Sequence, residues 1–170
     1  DHLVATNDGY EAVGPLNWLA FNTKRKPLDD TLVRQAIAYA IDRDFIVKVL
    51  HNGGSLPATG PIVPGSPYYT DQVNHYNLDL DKAKQLLDQA GYPVKDDGMR
   101  FSLQCDYYPN YDEMQKLIAD YLRPQLKKIG INVKVRASAD FGAWAERISN
   151  WDFDMTMDNV YNWGDPVIGV

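Results

Sequence analysis

At 170 residues, 45% apolar and 12% aromatic, the chain has the material for a packed core, either as one compact domain or as a large piece of a two-lobed protein, and this argues against disorder. Acidic residues outnumber basic ones 23 to 17, for a formal charge of −6, so the basic footprint of a nucleic-acid binder is missing and no nucleic-acid partner is expected. The single cysteine, Cys105, cannot close an internal disulfide and lacks zinc-site spacing, so it reads as a small buried hydrophobe. No apolar run approaches the roughly 18 residues that cross a bilayer. Asp1-His2-Leu3-Val4 has neither the basic nor the apolar region of a signal peptide, and any export signal is expected outside this sequence.

Leu16 to Thr23, lying between Gly14-Pro15 and the basic turn Lys24-Arg25-Lys26-Pro27, is an apolar run that predicts a buried strand. Asp29 or Asp30 is placed to cap a helix with Val33, Ala36, Ile37, Ala40 and Ile41 at helical spacing; Asp42 opens a second turn set with Phe45, Ile46, Val49 and Leu50, stopped by Asn52-Gly53-Gly54. Residues 53 to 77 hold Pro57, Pro61, Pro64 and Pro67 and exclude regular helix or central strand. Asp79 or Asp81 then starts a helix that ends at Gly91 and Pro93.

Met99 to Tyr107 alternates in polarity, as a half-buried strand does, with Cys105 on its inner face. Asp112 is expected to cap a helix from 113 to about 129, which Pro124 should kink or split near Asp120. Gly130 ends it, Ile131 to Val135 forms a strand, Asp140 caps a short helix bearing Phe141, Trp144, Ala145 and Ile148, and Phe153 to Val160 forms the last strand. Helices alternating with strands, without an internal repeat, predict an α/β domain with a mixed β-sheet flanked by helices. The segment from Asn159 to Val170 closes with no helix, so the chain is expected to be a fragment whose partner lobe is absent.

Catalysis finds little support. His2, His51 and His75 share no metal-ligand spacing, and neither a nucleophile elbow nor a phosphate or dinucleotide glycine loop is present. Asp29-Asp30 and Asp96-Asp97 are caps and solvated turns rather than an acid/base pair. Neither enzyme activity nor a cofactor is expected. Arg34 is expected to pair with Asp29 or Asp30. Trp163, Asn162, Tyr161 and Asp158 sit at or beyond the last strand's end, where α/β sheets receive ligands, with Asp165-Pro166 as a structural turn. Tyr107, Tyr108, Pro109, Asn110 and Tyr111 form an aromatic loop at another strand end.

Four separated stretches resemble the family 5 extracellular solute-binding proteins. They are Leu19-Ala20-Phe21-Asn22-Thr23 with Val33-Arg34-Gln35-Ala36-Ile37-Ala38-Tyr39-Ala40-Ile41-Asp42-Arg43; Ala58-Thr59-Gly60-Pro61-Ile62-Val63-Pro64-Gly65; Asp81-Lys82-Ala83-Lys84-Gln85-Leu86-Leu87-Asp88-Gln89-Ala90-Gly91-Tyr92; and Leu126-Lys127-Lys128-Ile129-Gly130-Ile131. Asp152-Phe153-Asp154-Met155 and Trp163-Gly164-Asp165-Pro166 look like the family's final strand and pocket turn.

The resemblance implies one lobe of a type II periplasmic-binding-protein fold, with residues 1–170 making up most of domain III. Such a lobe captures a peptide or other small polar solute by hinge closure and delivers it to a membrane ABC permease. The expected setting is the periplasm or a lipid-anchored outer surface, with the full-length protein a monomer. In dipeptide-binding relatives an aspartate before the Gly-Asp-Pro turn grips the ligand's amino terminus and an arginine at a strand end grips its carboxylate; alignment puts Asn162 and Cys105 there. Both departures remove a charge. This favours a longer or modified peptide, or an oligosaccharide stacking on Trp163, Tyr161 or Phe141, over a free dipeptide. A second reading, from another class, is a protein–protein interaction module docking through its aromatic loops.

Overall fold

The computed structural model describes residues 15–64, 66–109 and 113–161. Four strands form one sheet in the order β1-β4-β2-β3, with β1 at Pro15–Phe21, β2 at Phe101–Tyr107, β3 at Ile131–Ala137 and β4 at Met155–Tyr161. β2 runs parallel to β3, from Phe101 opposite Ile131 to Tyr107 opposite Ala137, and parallel to β4, with Asp106 opposite Thr156. Asn22 N–H donates to Asp154 O at 2.8 Å, so the end of β1 lies beside the start of β4 and β1 runs antiparallel. The sheet is therefore mixed, as its sequence predicts. β1 was expected to be buried, but its faces are largely exposed or half-buried, because the strand sits at the sheet's edge.

The chain divides into two compact units. The larger comprises Leu19–Leu56 and Tyr76–Asp158 and contains every helix among the described residues. In it, α1 (Thr31–Ala40) buries Val33, Ala36, Ile37 and Ala40, one stripe at helical spacing, after Asp30 accepts from Leu32 N–H at 2.7 Å. The predicted second turn set is shorter and less regular. α2 (Arg43–Phe45), capped by Asp42, passes into a π-helical turn over Ile46–Leu50, and the His51 N–H bond to Ile46 O spans five residues. Across that wider turn Ile46 and Leu50 pack half-buried against the core while Phe45 and Val49 are exposed, and none is fully buried. Phe45 instead stacks on Tyr121 at 5.1 Å.

α3 (Leu80–Gln89) is capped by Asp79 through Lys82 N–H at 2.8 Å and packs Ala83, Leu86 and Leu87 into the core beside α1. α4 (Met114–Lys127) covers the face of β2 and β3 that carries Leu103, Cys105, Ile131 and Val133, with Ile118, Ala119, Leu122 and Leu126 turned inward. It runs unbroken through Pro124, so the expected split does not occur. Pro124 lies on the exposed side of the helix, away from the core. The proposed cap, Asp112, lies outside the described residues. Gln125 Nε2 donates to Ala40 O at 2.7 Å and closes the end of α1.

Arg100, 4% exposed, knots the start of β2 to its surroundings by donating to Ile129 O at 3.0 Å, to Tyr92 O and to the Asp88 carboxylate. Arg34 forms no ion pair with Asp29 or Asp30. Its guanidinium donates to the carbonyls of Leu28 (2.8 Å) and Asp29 (3.0 Å) and to Thr31 Oγ1, while the Asp30 carboxylate is taken by Leu32 N–H at the start of α1. In the smaller unit, residues 57–64 and 66–75 hold no helix or strand, as their prolines require; Thr59 Oγ1 donates to Thr70 O at 3.2 Å across the loop.

Candidate functional site

The second face of the sheet, opposite α4, carries the chemistry. In β2 the side chains alternate, so Leu103, Cys105 and Tyr107 face α4 while Gln104 and Asp106 face the other way. Asp106 is completely buried, yet charged groups surround it. Its Oδ1 accepts from Arg136 Nε at 2.6 Å and from Arg147 Nη1 at 2.8 Å, and its Oδ2 accepts from Arg136 Nη2 at 3.1 Å. Arg136 is the register partner of Asp106 on β3 and also donates to Asp152 O at 2.7 Å. Burial pulls the Arg136 guanidinium down, but Asp106 and Asp152 outweigh it and leave the group held above its usual range. Arg25 bridges outward to Asp152 (3.2 Å) and Asp154 (3.4 Å).

Over this layer lies α5 (Phe141–Ser149), capped by Asp140 through Ala143 N–H at 2.9 Å. Its one buried residue is Trp144, whose Nε1–H donates to Thr156 Oγ1 at 2.8 Å. At the carboxyl end of β2, Ser138 N–H reaches Tyr107 O at 2.9 Å and Tyr108 leaves the sheet. The Tyr108 ring meets Phe141 edge-on at 5.4 Å and Trp144 at 5.0 Å, with Phe141 to Trp144 at 5.5 Å. The three rings make a shelf: Trp144 is its buried floor, Tyr108 its half-buried wall, and Phe141, 60% exposed, its outer face. It stands at the carboxyl ends of parallel strands, the edge at which open α/β sheets receive ligands. The shelf offers ring faces for apolar or planar groups but no nucleophile or acid/base pair.

Residues 5–168 match the family described as "Bacterial extracellular solute-binding proteins, family 5 Middle". The chain belongs to this family. Among curated relatives it is 32% identical over 145 residues to the dipeptide-binding protein of Escherichia coli K12, covering 84% of this chain and 26% of that protein. It is 35% identical over 139 residues to the glutathione-binding protein GsiB of Salmonella choleraesuis, covering 79% and 26%. Among solved structures, the dipeptide binding protein from Pseudoalteromonas sp. SM9913 in complex with Met-Leu superposes with a TM-score of 0.81 at 27% identity, covering 92% of this chain and 32% of that one. The chain thus spans about a quarter of the length of these curated relatives. Its mixed sheet with flanking helices is that of the type II periplasmic binding proteins, and family 5 members are solute-binding components rather than enzymes.

Within this family 5 chain, Tyr108 of the predicted aromatic loop and Phe141 of the predicted short helix meet edge-on, a contact the sequence did not predict. Cys105, aligned with the family's carboxylate-gripping arginine, has no exposed surface; the α4 face of β2 takes it into the core, where a ligand cannot touch it. Burial, with the Asp106 charge adding to it, pushes its thiol up to about 12. Asp158 is half-buried near the end of β4, and Tyr161, in the smaller unit, ends β4 half exposed. Asn162, Trp163 and the Gly164-Asp165-Pro166 turn lie outside the described residues, as do Asn110, Tyr111 and His2. His75 Nε2 shares a hydrogen bond with Asp71 O at 3.0 Å.

Sequence reasoning passed over Asp106, Arg136, Arg147 and Thr156, and it placed Trp144 only on a helical face. The available signal was Asp106 itself, a carboxylate on the polar face of a half-buried strand whose neighbour in the sheet carries Arg136 at the matching register.

Proposed function

We propose that residues 1–170 form one lobe, most of domain III, of a two-lobed receptor that captures a peptide or other polar solute by hinge closure and delivers it to a membrane ABC permease. The receptor works as a monomer in the periplasm or on a lipid-anchored outer surface, and no covalent step is involved. The observation that carries this reading is the Tyr108–Phe141–Trp144 shelf at the carboxyl edge of parallel strands, with Phe141 left open above a hydrogen-bonded Trp144. Phe141 and Tyr108 contact the ligand. With Asn162 uncharged and Cys105 inside the core, the ligand's two ends are not both gripped by ion pairs on this lobe, which favours longer or modified peptides held by backbone and ring contacts.

The test is calorimetric binding by the full-length protein of di- and oligopeptides and oligosaccharides, repeated with Phe141→Ala and Asn162→Ala. Phe141→Ala removes a mostly exposed ring, so folding stability should change by less than about 0.5 kcal/mol. Its affinity for peptides should nevertheless fall about tenfold, as loss of a stacked ring costs. Capture of a protein partner with no solute binding would replace the receptor with an interaction module.

A further inference from the structure

α5 is tied to the sheet by two polar side-chain links that converge on a single rung. Trp144 Nε1–H reaches Thr156 Oγ1 at 2.8 Å, Arg147 Nη1 reaches Asp106 Oδ1 at 2.8 Å, and Asp106 and Thr156 are opposite one another in the β2–β4 register. Both acceptors are held in turn. Asp106 is chelated by Arg136, and the Thr156 hydroxyl lies 3.3 Å from Asp106 O and 3.1 Å from Met157 O. The hydroxyl proton is thereby directed at backbone carbonyls, which leaves its lone pairs for an indole that can only donate. With Trp144 the helix's one buried residue, there is little apolar packing to hold α5 if these links loosen. The outer ring, Phe141, is too exposed to be fixed by its own burial.

We infer that Thr156 and Asp106 are positioning residues that set the seat of α5, and with it the shelf's fit to an apolar or aromatic side chain of a bound peptide. This rests on the reading of the chain as a peptide-binding lobe. A peptide without such a side chain is held by its backbone elsewhere and does not register a small shift of α5; one whose ring lies on Phe141 and Tyr108 does, since ring pairs depend on centroid distance and tilt. The two residues therefore govern selectivity more than affinity.

The experiment is isothermal titration of the full-length protein with Ala-Phe-Ala and Ala-Ala-Ala, comparing wild type, Thr156→Val and Thr156→Ser, with the Trp144 indole N–H followed by NMR. Wild type should prefer Ala-Phe-Ala. Thr156→Val, which keeps the shape and removes the acceptor, should cut that preference roughly fivefold, the size of one lost hydrogen bond. It should move the indole resonance and leave Ala-Ala-Ala affinity within about twofold, because backbone contacts are untouched. Thr156→Ser should restore the preference. A preference unchanged in Thr156→Val, an equal weakening of both peptides, or no preference in the wild type overturns the inference while leaving the receptor reading in place. Binding of neither peptide by wild type sinks the peptide reading itself, and the inference with it.

Discussion

Replacing Asp106 with alanine strikes the polar layer at its centre, and the geometry sets the expected cost. The carboxylate is fully buried and both its oxygens are engaged, so its removal leaves Arg136 and Arg147 without their shared acceptor. Breaking a fully buried ion pair from one side costs about 3–5 kcal/mol. Here the guanidinium side chains keep 33% and 21% of their surface in water, and Arg136 retains Asp152 at 3.6 Å. Solvent screening of those groups reduces the expected loss to about 2–3 kcal/mol. Asp106→Asn, which keeps an acceptor for one arginine, should lose only about 1–2 kcal/mol. Adding Arg136→Met to Asp106→Leu should recover part of the loss, because the pair is then removed from both sides. The assay is urea denaturation at low salt and again near 1 M, where the screening length falls to about 3 Å. The loss should persist in salt, since the acceptor has no contact with water. A loss under about 1 kcal/mol that disappears in salt would mean that Asp106 behaves as a surface pair, and the argument for a buried anchor would be refuted.

Gly130 sits at φ +84° after α4, and a Cβ there would come within 3.0 Å of Arg100 Cγ. Arg100 is pinned at its far end and cannot swing clear, so Gly130→Ala should cost about 1–3 kcal/mol by thermal unfolding, whereas a neutral result would show that the turn relaxes. Cys105, with no exposed surface and a thiol held near 12, should resist thiol-labelling reagents at mildly alkaline pH in the native protein and react once unfolded. The same shift makes a linkage prediction: the folded value lies above the usual 9.0, so the stabilisation is complete below about 9 and is lost as pH rises toward 12. Unfolding free energy should fall across that window by up to about 1.4 kcal/mol per pH unit, and Cys105→Ala should remove that component; an unchanged slope would refute the assignment.

The local grammar of the fold was legible because capping and periodicity act over one or two turns. Asp30, Asp42, Asp79 and Asp140 cap where their spacing from the first apolar residues says they should, and the Val33-Ala36-Ile37-Ala40 stripe is the buried one. What failed depends on neighbours in space. An apolar run says nothing about whether its strand will be central or at an edge, so β1 appeared more buried than it is. Pro124 looked like a break because its rotational position relative to solvent is a tertiary fact. The site divides the same way. That Tyr108 follows a strand and Phe141 opens a helix is readable locally, whereas Asp106 meets its arginines across 30 and 41 residues of chain and has meaning only once β2, β3 and α5 are stacked.

On the receptor reading, that arrangement bears on how the chain would meet a ligand. Arg25, Arg100, Arg136 and Arg147 bind the protein's own carboxylates, and Arg34 and Arg43 bind its carbonyls. A ligand carboxylate seeking one of these guanidiniums would have to displace an internal partner that is already bound at short range and, at Asp106, sealed from water. At Asp106 the exchange gains little, because one charged acceptor replaces another while the displaced one is left buried and unpaired. Phe141 demands no such displacement: its ring is 60% exposed, and Trp144 beside it is already hydrogen-bonded. On the receptor reading, the Asp106–Arg147 pair therefore helps to hold the helix that carries the shelf, and the exposed ring of Phe141 meets the ligand.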